Sequence, residues 1–130
     1  MIIECRPVKA ESIVDQLHLV DVWSVEAGLE TMLDIVDGSY AFDVINEAGE
    51  AIGTYALRSQ NCPNGVIAWL VVGQGNAPGA DLTRDLLPAI ERQAEGANYL
   101  AIQTQRHGLI AKLLKQGYQV GGTILVKKLK

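Results

Sequence analysis

The spacing of apolar residues along the chain changes period several times, and each change marks an element. Ile2, Ile3, Cys5 and Val8 predict a first strand that ends near Pro7. From Ala10 to Val36 the residues Ile13, Val14, Leu17, Val20, Leu29, Met32, Leu33 and Val36 recur at three- and four-residue steps, the period of a helix face. Gly28 and the β-branched residues between Val20 and Val25 favour two helices over one, and Gly38 supplies a stop. Residues 40–45 and 51–57 then flank a short polar turn in which Gly49 can take positive φ, which predicts a hairpin.

Residues 61–65, with Pro63 and Gly65, read as a loop. Val66 to Val72 is an unbroken apolar run, the expectation for a strand buried on both faces, with Trp69 inside the core. Gly73 to Ala80 breaks regular structure, and Asp81 opens an amphipathic helix through Leu86, Leu87, Ile90 and Ala94. Pro88 removes one backbone bond inside that helix at ~3 kcal/mol, so a kink or a restart is expected there. Tyr99 to Thr104 reads as another buried strand and His107 to Gln116 as a helix. Tyr118 to Leu129 reads as a terminal hairpin bent at Gly121 and Gly122.

Composition narrows the class. With 130 residues, 48% apolar and 20% charged, the chain suits one globular domain over 1–130. The first residues carry Glu4 and Arg6 and no signal-like or membrane-spanning stretch, so a cytoplasmic protein without a membrane partner is expected. Two Cys and two His, far apart, are too few for a dedicated metal site. The net charge of −4 conceals a split: residues 1–60 carry eleven acidic and three basic side chains, residues 61–130 four and eight. With Lys127, Lys128 and Lys130 forming only a short basic end on a chain of pI ≈ 5.1, nucleic acid is not an expected partner.

One junction carries candidate chemistry. A buried strand at Leu70 to Val72, a Gly-containing loop and a helix opening at Asp81 make an anion site, because the first helical N–H groups are unpaired and the helix dipole is positive there. On this junction, on the order of elements over essentially the whole chain, and on the segment Arg106 to Tyr118 with its Gly117–Tyr118 pair ahead of residues 123–128, the sequence resembles the GNAT superfamily of acetyl-CoA-dependent N-acetyltransferases. The resemblance implies an α+β domain with a mixed, mostly antiparallel twisted sheet of about six or seven strands and helices on both faces. It implies acetyl-CoA or another acyl-CoA held by Leu70, Val71, Val72, Asn76, Ala77, Pro78, Gly79, Ala80, Asp81, Leu82, Thr83 and Arg84. It also implies an amine acceptor, small molecule or protein, and allows a homodimer.

The departures from the family pattern are specific. The family's loop runs Arg or Gln, two residues, Gly, one residue, then Gly or Ala; with Asn76 at the first place, Gly79 fits the fourth but Asp81 stands at the sixth. Starting from Gln74 instead puts Ala77 at the Gly place and Gly79 at the last. As a helix N-cap Asp81 is worth ~1 kcal/mol, whereas its carboxylate about 5 Å from a phosphate charge costs ~3 kcal/mol at an effective dielectric near 20. Unless Arg84 or the basic C-terminal half offsets this, affinity for CoA is expected to fall by about a hundredfold. The resemblance places the family's leaving-group tyrosine near Leu113, which cannot donate a proton, and the strand 66–72 carries no Asp or Glu to act as base.

His107, at a helix start and of a type that titrates near neutrality, is the candidate catalytic residue. Tyr118 reads as core. The resemblance makes Asp34, Asp37 and Asp43 candidates for the border of an acceptor-amine cleft, with a solvent-facing acidic edge as the equal alternative, while Glu47 and Glu50 read as solvated turn residues. Two functions are therefore carried forward: an N-acyltransferase acting on an amine, and a catalytically silent GNAT-like binding or structural module of the kind found among short phage-encoded or virion-associated proteins.

Overall fold

The computed structural model describes residues 2–17, 32–75, 82–104, 106–123, 125 and 127–129. Five strands form one sheet in chain order: β1 (Ile2–Val8), β2 (Tyr40–Asn46), β3 (Ala51–Cys62), β4 (Gly65–Gly75) and β5 (Tyr99–Ile102). The first three pairings are antiparallel and β4 with β5 is parallel. A 3-10 helix (Ala10–Gln16) and three α-helices, α1 (Met32–Val36), α2 (Leu82–Gln93) and α3 (His107–Lys115), complete the described elements. The mixed, mostly antiparallel α+β architecture agrees with expectation, but among the described residues the sheet has five strands, not six or seven.

Local chemistry explains the β2–β3 hairpin. The Asn46 side-chain oxygen accepts from the N–H groups of Ala48 at 3.0 Å and Glu50 at 2.9 Å, and Gly49 takes φ +79°. β3 and β4 are longer than their apolar runs. Cys62 pairs with Gly65 across the two-residue turn Pro63–Asn64 and Gly53 with Gly75, so Asn61, Cys62, Gly65 and residues 73–75 belong to a continuous ladder, not to loops. A long partner strand supplies hydrogen bonds that outweigh glycine's weak local preference. Pro7 lies within β1, tolerated because β1 is an edge strand.

The core has two layers. On one face Ile13 and Leu17 of the 3-10 region and Val36 of α1 pack on Ala41, Ala56 and Val72. On the other, Leu86 and Ile90 of α2 pack on Val44, Tyr55 and Leu57. Arg58 on β3 holds α1 in place: its Nη2 donates to the carbonyls of Ile35 at 2.6 Å and Asp37 at 3.0 Å, oxygens left over at the helix end. The helical pattern over residues 10–36 appears as a 3-10 helix and a five-residue α1; its middle, with Val20, Gly28 and Leu29, lies outside the described residues.

Three expectations are corrected. In the run Val66 to Val72 only Ala68 and Val72 are buried, because neighbouring β5 spans four residues and α1 five; Trp69 is half-buried and its Nε1 donates to Gln60 Oε1 at 2.8 Å. Of the kink or restart expected at Pro88, the restart does not occur: α2 passes through Pro88 as one element. Pro88 is on the exposed side, where water can satisfy the Arg84 carbonyl that loses its helical donor. No strand occurs among the described residues of 118–129: Val120, Leu125 and Leu129 are exposed, and an isolated hairpin without a packed face is marginal in water.

Candidate functional site

The site is built by a disagreement between the two edges of β4. Along the β3 side, Ala56 pairs with Val72 but Leu57 pairs with Leu70, so Val71 is an extra residue, a β-bulge. Along the other side, β4 pairs with β5 only from Ile67↔Tyr99 to Leu70↔Ile102. The bulge therefore begins at the residue after the last β4–β5 rung. β5 stops at Ile102 while β4 runs on to Gly75, and the two parallel strands part there. The bulge also breaks the alternation of faces: Leu70 packs toward α2, while Val71 and Val72 both pack toward α1.

α2 follows β4 and α3 follows β5, and it is the end of α3, at Gln116, that lies against the start of α2. The opening lies at the carboxyl ends of two parallel strands, the usual ligand position, and the first turn of α2 carries the unpaired N–H groups suited to an anion. Of the sequence-predicted cofactor residues, Leu70, Val71 and Val72 lie at the parting, and the backbone of Leu82, with Thr83 and Arg84, begins α2. Asn76, Ala77, Pro78, Gly79, Ala80 and Asp81 lie outside the described residues.

The expected role of Arg84 as an offsetting cation is weakened. Its Nε donates to Asp85 Oδ1 at 2.9 Å and its Nη2 to Oδ2 at 3.3 Å, a two-pronged pair between exposed side chains. Hydrogen bonding to Arg84 holds the Asp85 carboxyl below the usual carboxylate range. The sequence signal was adjacency itself, since Arg84 and Asp85 are neighbours in the first turn.

A polar row crosses the sheet beside the opening. Arg6, Asp43, Thr54 and Gln74 are successive cross-strand partners on β1 to β4. They lie two residues beyond Ala41, Ala56 and Val72 and so on the same face as α1. Thr54 is 1% exposed, and its hydroxyl donates to the Phe42 carbonyl at 2.9 Å. Asp43 and Gln74 are half-buried. Asp43 thus belongs to a row leading to β4, whereas Asp34 lies on α1 and Asp37 follows it, its carbonyl bonded by Arg58 of β3. Thr54 and Gln74 were missed because only the pairing register brings them together.

The remaining candidates separate clearly. His107 begins α3 and is exposed. Leu113 is buried. Tyr118 closes α3: its N–H donates to the Leu113 carbonyl at 3.1 Å past Gly117 at φ +92°, and its Oη donates to Glu91 Oε2 at 2.9 Å. Burial, with the Glu91 carboxylate, raises its phenol pKa. Gln116 Nε2 also donates to the Thr83 carbonyl at 3.3 Å, tying α3 to the start of α2. Glu47 and Glu50 lie in and after the β2–β3 turn and are exposed.

A cavity of about 520 Å³ lies elsewhere, at the β1–β2 side of the sheet, lined among others by Lys9, Leu33, Asp37, Ser39 and Tyr40. It is separated from the parting of β4 and β5 by the width of the sheet. Among the described residues no group of three or more His, Cys, Asp or Glu is placed to hold a metal ion, and no helix is long and apolar enough to cross a membrane.

No protein-family model and no curated protein matches the sequence. Solved structures do match the fold along its whole length. A Pyrococcus furiosus protein named provisionally as an acetyl transferase superposes with a TM-score of 0.69 at 16% identity, over 97% of this chain and 100% of that one. A possible acetyltransferase from Clostridium difficile 630 gives a TM-score of 0.64 at 8% identity, over 100% and 99%. The aminoglycoside N-acetyltransferase AAC(6')-Iy in complex with CoA gives 0.58 at 14% identity, over 98% and 99%. The chain has the fold of these acetyltransferases, as its sequence resemblance to the GNAT superfamily implied.

Proposed function

We propose that the protein is an acyl-CoA-dependent N-acyltransferase whose acceptor is a cationic amine. The observation that carries this reading is the coincidence of the Val71 bulge with the end of the β4–β5 ladder at Leu70↔Ile102. Beyond that rung the outer edge of Val71–Gly75 faces the opening and can bond a peptide-like pantetheine arm as a strand would. The start of α2 at Leu82, Thr83 and Arg84 offers N–H groups to phosphate. Acyl-CoA, when bound, supplies an activated thioester carbonyl, which an amine attacks to form an amide while the thiolate leaves and takes up a proton.

The chain's own residues divide the remaining work. Gln74, on β4 itself, is the row member nearest the opening and orients the acceptor amine. Asp43 lies two strands away, ~10 Å at the usual strand spacing. At that distance it holds an ammonium group and favours cationic acceptors, and does not abstract the reacting proton directly. His107, exposed at the start of α3, passes the proton to solvent.

Acyl transfer is read as thiol release from acetyl-CoA with a panel of polyamines, aminoglycosides and lysine peptides. Amine-dependent release is expected, with Asp43→Asn raising the amine KM by roughly tenfold, the worth of a charge-assisted bond. No release with any amine defeats the enzyme reading. A second reading, the silent module, is favoured by two observations: the buried Leu113 at the expected tyrosine position and the pairing of Arg84 with Asp85. It predicts acyl-CoA binding weak or lost and no turnover.

A further inference from the structure

The turn that ends α3 touches α2 at two points. Gln116 Nε2 donates to the Thr83 carbonyl at 3.3 Å, and Tyr118 Oη donates to Glu91 Oε2 at 2.9 Å. Thr83 and Glu91 are eight residues apart on α2, ~12 Å along its axis. Gln116 and Tyr118 are themselves held in one tight turn. Their N–H groups both donate to the Leu113 carbonyl, at 2.9 and 3.1 Å, with Gly117 at φ +92° between them. Leu113 is buried, so the turn is anchored from inside the helix. A short fixed segment thus sets both the position and the tilt of α2.

The last rung between β4 and β5 is Leu70↔Ile102, and α2 follows the first of these strands while α3 follows the second. The two bonds therefore tie together the elements that continue from either side of the parting. The bond at Thr83 has a further effect on the end of α2. The Thr83 carbonyl and the Arg84 N–H belong to one peptide unit, and a donor on the oxygen polarises that unit, which strengthens the N–H as a donor. Arg84 lies in the first turn of α2, where N–H groups have no helical partner.

We propose that Gln116 and Tyr118 are positioning residues for acyl-CoA: together they hold the first turn of α2 in place to receive its phosphate. The inference rests on the acyl-CoA reading and adds to it two residues that act through α2. Tyr118 takes no part in proton transfer in this role. Burial and the Glu91 carboxylate keep its phenol protonated, so it goes on donating to Glu91 across the working pH range. Gln116 is exposed and uncharged, so its contribution is the single bond to Thr83 and the alignment that bond imposes.

Calorimetric titration of the full chain with acetyl-CoA tests the proposal. Gln116→Met and Tyr118→Phe each remove one donor and keep the bulk of the side chain. Each is expected to raise the dissociation constant roughly threefold, the scale of one exposed hydrogen bond, and the double variant roughly tenfold, with the far-ultraviolet spectrum unchanged. Two readouts separate positioning from general stabilisation. In the free protein, the Arg84 amide proton is expected to move upfield in Gln116→Met and to stay in place in Tyr118→Phe. Glu91→Ala is expected to weaken binding as Tyr118→Phe does, and Glu91→Gln, which still accepts from Tyr118, to restore it. A double variant that binds acetyl-CoA as tightly as the parent overturns the proposal and leaves the acyl-CoA reading standing. So does an Arg84 amide unmoved by Gln116→Met, or a Glu91→Gln variant as weak as Glu91→Ala. A parent chain that binds no acetyl-CoA overturns both.

Discussion

Leu70 and Ile102 form the last rung between β4 and β5, and the residue that follows Leu70 is the bulge. The two features are coupled physically. A bulge twists and bends its strand, so β4 turns away just where β5 ends, and an opening appears without any cavity being carved from the core.

Deleting Val71 removes the extra residue and leaves Leu70 facing α2 and Val72 facing α1 in regular alternation, so the bulge and the packing of Val71 on the α1 face are lost together. The expected loss is about 1–2 kcal/mol, the scale of a partly buried valine. Urea denaturation measures it, and stabilisation by acetyl-CoA is expected to disappear in the same variant. A deletion variant as stable as the parent would show that the bulge does not set the packing of β4.

Arg84 is occupied by Asp85, and releasing it changes ligand affinity. Asp85→Asn is expected to strengthen acetyl-CoA binding about threefold at low salt, the scale of an exposed ion pair, with the gain fading at molar salt. The pH dependence has a definite sign. The Asp85 carboxyl is held low by Arg84, so the pair persists above the ordinary carboxylate pKa and is lost as pH falls through the depressed folded value. In Arg84→Gln, an NMR titration is expected to find the Asp85 midpoint moved upward.

The same substitution has opposite effects at two glycines of one element. Gly117 takes φ +92° to close α3, so Gly117→Ala is expected to cost about 1 kcal/mol. Gly108, on the first turn of α3 with open space where a Cβ would lie, is expected to gain roughly 0.5 kcal/mol as alanine. Thermal melts of the two variants, moving in opposite directions, check both.

Tyr55 is fully buried, stacked on Phe42 with ring centroids 5.1 Å apart, and its hydroxyl donates to Gln93 at the end of α2. Burial, with the Cys5 thiol beside it, pushes its phenol far above the ordinary tyrosine range, so it stays protonated at any working pH. Tyr55→Phe leaves the Gln93 oxygen without that donor and is expected to lower stability by about 1 kcal/mol, or roughly 3–5 °C in Tm.

What could be read before the fold was known follows from where the determining interactions lie. Asn46 and Gly49 act within their own turn, and Gly117 within its own helix end, so these features were legible. The order from β4 to α3 was legible because apolar period and glycine breaks change together. The Val71 bulge was not, because an unbroken run from Val66 to Val72 carries no mark of register; only pairing with β3 and β5 distinguishes Val71 from its neighbours. Gly73 and Gly75 read as loop because the partner strand that orders them lies some twenty residues away. The terminal segment has strand composition, yet no strand occurs among its described residues, a tertiary fact that local pattern cannot carry.

The central claim is that the open edge of β4 beyond Leu70 receives an acyl-CoA. Titration of isotope-labelled protein with acetyl-CoA, followed by amide NMR, tests it most directly. Saturable shifts are predicted at Val71 to Gly75 and at Thr83 to Asp85, with β1 and the β2–β3 turn unmoved. A rise in stability of about 2.7 kcal/mol at a hundred times the dissociation constant should accompany them. Amides of Val71 to Gly75 that stay in place at millimolar acetyl-CoA would contradict the account.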